Sequence, residues 1–238
     1  MTSDLEPTPP RTGQALRDLA AAFPRSPRRW ARLLIGLAAF GLGIALMKHA
    51  DLGLGPWEVL NDGLSKRSGY ELGTVGIVVG VPILLLWLPL RERPGLGTVC
   101  NIILIGLVVN AVLHLLPAQA WVRGLLPALP LVPQAAEMVL GVCVIGLGSA
   151  LYLGAEMGAG PRDGLMMGLT RRTGWSLRIT RTLIEIVVLF VGWLLGGTVG
   201  LGTLTFAFGI GPVVQAMFAL TGTPDPRKRR TDNAAANV

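Results

Sequence analysis

Hydrophobic positions along the chain gather into long, nearly uncharged runs with short polar stretches between them. The runs cover about Leu33–Met47, Gly73–Leu90, Leu96–Leu116, Met138–Leu153, Ile179–Leu195 and Leu201–Leu220. Several approach the ~20 residues that a helix needs to cross a bilayer. The pattern predicts an all-α membrane protein with six transmembrane helices. Residues 1–32 are polar and basic, 118–137 form a connector broken by three prolines, and 222–238 make a second basic tail. The first segment lacks the apolar centre of a signal peptide. Its Leu16, Leu19 and Phe23 suit a surface helix, and its first dozen residues suit disorder.

One stretch occurs twice. Gly53 to Gly69 and Gly158 to Gly174 both read G-x-G-P-x-[ED]-x-L-x-x-G-L-[ST]-[KR]-R-[ST]-G, at a constant offset of 105 residues. A glycine pair followed by Pro56 or Pro161 predicts a tight turn running into a short helix, because proline suits a first helical position. The same offset places Gly36 on Gly141, Gly41-Leu-Gly43 on Gly146-Leu-Gly148, and Gly95-Leu-Gly-Thr98 on Gly200-Leu-Gly-Thr203. About a third of the paired positions are identical, a strong duplication signal. The chain therefore reads as repeat A over 33–117 and repeat B over 138–221, with three spans each.

Three is an odd number, so the second repeat should enter the membrane upside down. Basic residues test this independently, since they collect on the cytoplasmic side. With both termini inside, the split of Lys and Arg is 17 inside to 4 outside. The expectation is a multi-pass protein of a bacterial cell membrane, with cytoplasmic N- and C-termini and a re-entrant or interfacial short helix in each repeat.

Composition agrees: 51% of residues are hydrophobic and 15% charged, far from the balance of a soluble domain. The net charge of +7 is explained by residues flanking the spans, and no basic-aromatic interleaving points to nucleic acid. Cys100 and Cys143 lie within apolar runs and read as small packed residues. His49 and His114 form no ligand motif. The sequence therefore predicts no metal, no cofactor and no catalytic residues; no Ser/His/Asp or Cys/His constellation is visible.

The paired G-x-G-P-x-[DE] stretches, with the P-G-L-G-T turn, resemble the YczE/YitT family of bacterial integral membrane proteins over about Leu33–Leu220. The resemblance implies the membrane class and the repeat plan. It implies no activity, because that family has no well-established one. Asp163 matches the common family residue, and Glu58 is a conservative departure.

The candidate binding residues are Gly53, Gly55, Pro56, Trp57 and Glu58 with Gly158, Gly160, Pro161, Arg162 and Asp163. In the functional reading, each stretch points a helix N-terminus at a site between the repeats. In the structural reading each is a helix-start turn whose acid favours its own helix. Intramembrane polar candidates are Asn101, Asn110 and its repeat mate Gln215, Arg181 and Glu185. Arg181 and Glu185 share a helix face, and a charge in a bilayer requires a partner or a cavity. The leading expectation is a carrier for a small anionic or zwitterionic solute. The alternative is a non-catalytic membrane partner or assembly subunit. The partners expected are the lipid bilayer and that small polar solute, with no nucleic acid; protein partners and oligomeric state are not legible.

Overall fold

The computed structural model describes residues 26–223 except 93, 127 and 130. The basic N-terminal stretch up to Arg25, Arg93 and the Arg227–Arg230 tail lie outside the described residues. Among those described there are nine helices and no strands: α1 Pro27–Ala50, α2 Pro56–Ser68, α3 Leu72–Leu90, α4 Leu96–Leu115, α5 Gln119–Gly124, α6 Leu131–Gly154, α7 Pro161–Thr173, α8 Leu177–Leu194 and α9 Leu201–Thr221.

The helix ends follow local chemistry. Pro27, Pro56 and Pro161 each occupy a first helical position, where no N–H is required. α2 and α7 both stop at a glycine in the left-handed region, Gly69 at φ 75° and Gly174 at φ 73°. α6 begins at Leu131, earlier than the apolar run suggests, so the connector is shorter than 118–137. Pro133 does not prevent this, because it falls in the first turn, before the i−4 hydrogen bonds begin.

Five described helices, α1, α3, α4, α6 and α9, are long and apolar enough to cross a membrane. α8, expected as a sixth span, differs from them: its 18 residues include Arg178, Arg181 and Glu185. Large apolar side chains such as Val78, Leu85, Leu107, Phe190 and Phe208 are exposed on the outside of the bundle. Water would penalise that surface, whereas lipid tails do not. The protein is a multi-pass membrane protein.

α1 and α6 cross at the centre. A Cβ on Gly36 would stand 2.6 Å from the Tyr152 nitrogen, and one on Gly43 would stand 2.6 Å from the Gly141 oxygen. Gly141 and Gly148 are closed off in turn by Gly43 and Gly36, so neither helix tolerates a side chain at the crossing. α4 lies along α1 and α9 along α6. The short helices exchange partners: α2 of the first half packs on α8 of the second, and α7 packs on α3.

The turns exchange as well. Gly97 donates its N–H to the Met157 carbonyl at 2.9 Å, and Gly202 donates to the Leu52 carbonyl at 2.7 Å. Gly53 (φ 116°) and Gly158 (φ 131°) make these junctions possible. Both hold a backbone angle that a Cβ disfavours, and a Cβ on Gly53 would also meet the Gly200 nitrogen at 2.6 Å. Each of these contacts maps onto another when residue numbers are shifted by 105.

One pair of contacts breaks the correspondence. α3 packs along α4, with Gly73 against Gly106 and Gly80 against Ile102, whereas α8 does not pack along α9 in the same way. Gly211, the mate of Gly106, has open space around it. The cause is in the sequence: Gly73, Gly76 and Gly80 of α3 correspond to Arg178, Arg181 and Glu185 of α8. Gly73 and Gly80 let α3 close on α4, whereas the charged Arg178 and Glu185 stand at the matching places of α8.

Candidate functional site

The two Gly-Pro helix starts face each other. Arg162, second residue of α7, reaches the carboxylate of Glu58, third residue of α2, with Nη2 2.6 Å from Oε1. Its guanidinium lies over the Trp57 ring, 5.2 Å from the ring centre, which adds a cation–π attraction. Glu58 is buried, at 4% exposure, while Arg162 is partly exposed. Asp163 is the repeat mate of Glu58, but it bonds differently: its Oδ2 accepts from the Tyr152 hydroxyl at 2.9 Å. Tyr152 is itself set by an edge-on contact with Phe40.

A cavity of about 180 Å³ lies at this junction. Pro56, Trp57, Glu58, Gly160, Pro161, Arg162 and Asp163 line it, together with Asn61, Asn101, Arg181 and Glu185. Its remaining walls are mostly apolar side chains from α1, α3, α4, α6 and α9, with Ser149 and Tyr152 of α6 among them. The lining follows the 105-residue correspondence: Ile105 and Ile210, Gly106 and Gly211, Val109 and Val214 all contribute. Two neutral groups here lack a hydrogen-bond partner among the described residues, the Trp57 indole N–H and the Asn61 amide oxygen. Both residues are 7% exposed. A buried polar group left unpaired is expensive, so it either stores that cost or awaits a partner.

The other sequence candidates separate. Gly53 and Gly158 sit behind the site as junctions to the opposite half's turns, rather than in the cavity wall. Arg181 and Glu185 pair at 2.8 Å on one turn of α8 and both reach the cavity. Asn101 lines it beside Gly160. Asn110 does not; its Oδ1 accepts from Gly73 N–H at 2.7 Å and its Nδ2 donates to Thr74 Oγ1 at 2.9 Å. That satisfies a first-turn donor of α3 that no intrahelical carbonyl can reach. Gln215 is exposed and also outside the lining. Asn110 thus makes interhelical hydrogen bonds, and its repeat mate Gln215 does not share them: α8 does not pack along α9, and Arg178 and Ile179 stand where Gly73 and Thr74 stand in the first half.

Sequence reasoning gave no role to a second polar cluster, centred on Asp62. Its side chain is almost fully buried and accepts from Lys48 Nζ at 2.6 Å, Thr198 N–H at 2.8 Å and Thr198 Oγ1 at 2.7 Å. Lys66 Nζ is 2.9 Å from its Oδ2. Burial alone would push the Asp62 carboxyl up, but the hydrogen bonds from Lys48, Lys66 and Thr198 and the Lys48 charge outweigh it and hold it below its ordinary value. The cluster locks α1, α2 and the loop before α9 together. α2 is tied further by Lys66 to the Gly196 carbonyl at 3.0 Å and by Arg67 to the Leu194 and Leu195 carbonyls. On the other half Arg172 reaches the Pro89 carbonyl and Arg171 pairs with Glu92. The mate of Asp62 there is Met167. A signal was present: Asn61-Asp62 against Met166-Met167 is a place where the repeat changes from polar to apolar.

Comparison with known proteins agrees with this architecture. A model for a family of unknown function (DUF6198) matches residues 27–219, all nine described helices bar the end of α9. An uncharacterized protein of Haemophilus influenzae is 39% identical over 183 residues, 77% of this chain and 80% of its own. The uncharacterized membrane protein YczE of Bacillus subtilis is 32% identical over 189 residues, 79% of this chain and 84% of its own. A second B. subtilis protein, the uncharacterized YyaS, is 28% identical over 171 residues, covering 71% and 82%. No solved structure matches the chain. The matched region holds both Gly-Pro stretches and the whole cavity lining, and on this extent of similarity the chain belongs to the DUF6198 family of membrane proteins, as a relative of YczE.

Proposed function

We propose that the protein is a non-catalytic carrier for a small polar solute, anionic or zwitterionic, in a bacterial cell membrane. In this reading α1, α3, α4, α6, α8 and α9 cross the bilayer as two inverted three-helix repeats. α2 and α7 re-enter from opposite faces, so that their N-termini meet near the midplane. The observation that carries the proposal is the Glu58–Arg162 pair at 2.6 Å in a cavity lined by both halves of the chain. Charges inside a membrane protein are costly and collect at substrate or ion paths, and broken helices meeting at a repeat interface are a known way to build such sites.

The reciprocal contacts across the 105-residue offset support inversion, as does the 17 to 4 split of basic residues obtained with both termini in the cytoplasm. The charges of α8 suit a crossing helix too: Arg181 and Glu185 neutralise each other and face the cavity rather than lipid. The same cavity favours a carrier over an assembly subunit, which has no use for a polar chamber between its own halves.

The test is uptake by liposomes containing the purified full-length protein, loaded with a pool of unlabelled small polar metabolites and given the same pool radiolabelled outside. Exchange of a subset, lost in Arg162→Gln, is the expected result. No exchange of any solute, together with a protein companion that co-purifies in fixed ratio, would replace the carrier by the assembly reading.

A further inference from the structure

The charges lining the cavity do not balance. Among the described residues they are Glu58, Asp163 and Glu185 against Arg162 and Arg181. Arg162 is taken by Glu58 and Arg181 by Glu185. Asp163 is left with no basic partner among the described residues. The Tyr152 hydroxyl donates to it, but a hydroxyl supplies no charge. Asp163 is half-buried, and beside walls such as Phe40, Ile44 and Ile145 its carboxylate is better accommodated with a cation than alone.

Resting on the carrier reading, we infer that the solute is a small zwitterion whose ammonium group sits on Asp163 and whose acid end faces Trp57 and the start of α2. The unpaired groups fit the two ends. The Asn61 amide oxygen, buried and unpartnered, accepts a second ammonium N–H. The Trp57 indole N–H, also buried and unpartnered, donates to an anionic oxygen. Beside it, the first turn of the 13-residue α2 offers free backbone N–H groups and the positive end of its dipole.

A simple carboxylate would meet Asp163 with like charge and nothing to offset it. A simple amine would leave the Trp57 N–H unused. Size narrows the class further. A cavity of about 150 Å³ takes one benzene molecule, so about 180 Å³ takes a small amino acid and not a peptide.

The experiment is thermal unfolding of the purified full-length protein in sodium-free detergent buffer. The probes are glycine, alanine, β-alanine and proline, with acetate and propionate as acid-only and methylamine and ethylamine as amine-only controls. At least one amino acid raises the midpoint in a saturable way, and neither control class does at equal concentration. Asp163→Asn weakens that binding by about 10-fold or more, the loss expected for one partner of a half-buried charge pair. Asp163→Glu, which keeps the charge, restores part of it, so a mere folding defect in the asparagine variant is distinguished. Stabilisation by propionate alone, insensitive to Asp163→Asn, would overturn the inference while leaving the carrier reading intact. Stabilisation by sodium alone, lost in Asp163→Asn, would assign the carboxylate to an ion and overturn it too. No shift with any amino acid, while liposomes still exchange another solute through Arg162, would end the zwitterion assignment only. No shift and no exchange would end both.

Discussion

The carboxylate of Glu58 and the guanidinium of Arg162 meet at 2.6 Å although they begin two different helices from the two halves of the chain. Each stands within the first turn after a Gly-Pro pair, so the contact holds the two helix starts against each other. Glu58 alone would favour the positive end of α2, and Arg162 alone would oppose that of α7. Paired, they offset both effects and close one wall of the cavity.

Breaking this pair from one side is expected to be worse than removing it. Glu58→Gln leaves Arg162 uncompensated near apolar walls and should cost roughly 2–3 kcal/mol, at the low end for a buried pair because Arg162 is partly exposed. The double variant Glu58→Gln with Arg162→Met should recover most of that in denaturant or thermal unfolding. Equal losses in the single and double variants would show that the pair contributes packing rather than charge.

The central crossing gives a matched pair of tests. Gly36→Ala puts a methyl 2.6 Å from the Tyr152 backbone nitrogen, where nothing can yield, and should cost about 1–3 kcal/mol or more. Gly209→Ala in α9 meets nothing within 4 Å and should be neutral or stabilising by about 0.5–1 kcal/mol through helix propensity. Similar midpoints for the two variants would contradict the close α1–α6 crossing.

The Asp62 cluster predicts acid sensitivity. Its carboxyl is held below its ordinary value of 3.8, so the stability it adds is complete above that value and is lost as pH falls through the lower folded value. Asp62→Asn should lower the melting temperature at neutral pH and flatten its decline on acidification below about pH 4. A variant that keeps the wild-type acid limb would remove Asp62 from this account.

The doubled stretch was readable because Gly, Pro and the chain-ending Gly recur at fixed spacing, each with a backbone reason. The meeting of Glu58 with Arg162 followed from treating the two copies as facing partners. What spacing hides is which helix lies beside which. The glycines of α3 and the charges of α8 were plain in the sequence, yet their effect depends on whether α4 and α9 stand opposite them. Asn110 and Gln215 show this: they match by offset, but Gly73 and Thr74, which Asn110 holds, have no counterpart beside Gln215. Tyr152 reads as one more aromatic in an apolar run, and only the fold brings its hydroxyl to Asp163.

The central claim is that the two halves are inverted, with their short helices entering from opposite faces. The most direct measurement uses single cysteines at Lys66→Cys and Arg172→Cys, with Cys100 and Cys143 replaced by alanine, in intact cells. A membrane-impermeant maleimide should label position 66 from outside. It should reach position 172 only after the membrane is permeabilised. Labelling of both positions in intact cells, or of neither until permeabilisation, would place the two stretches on one face and contradict the account.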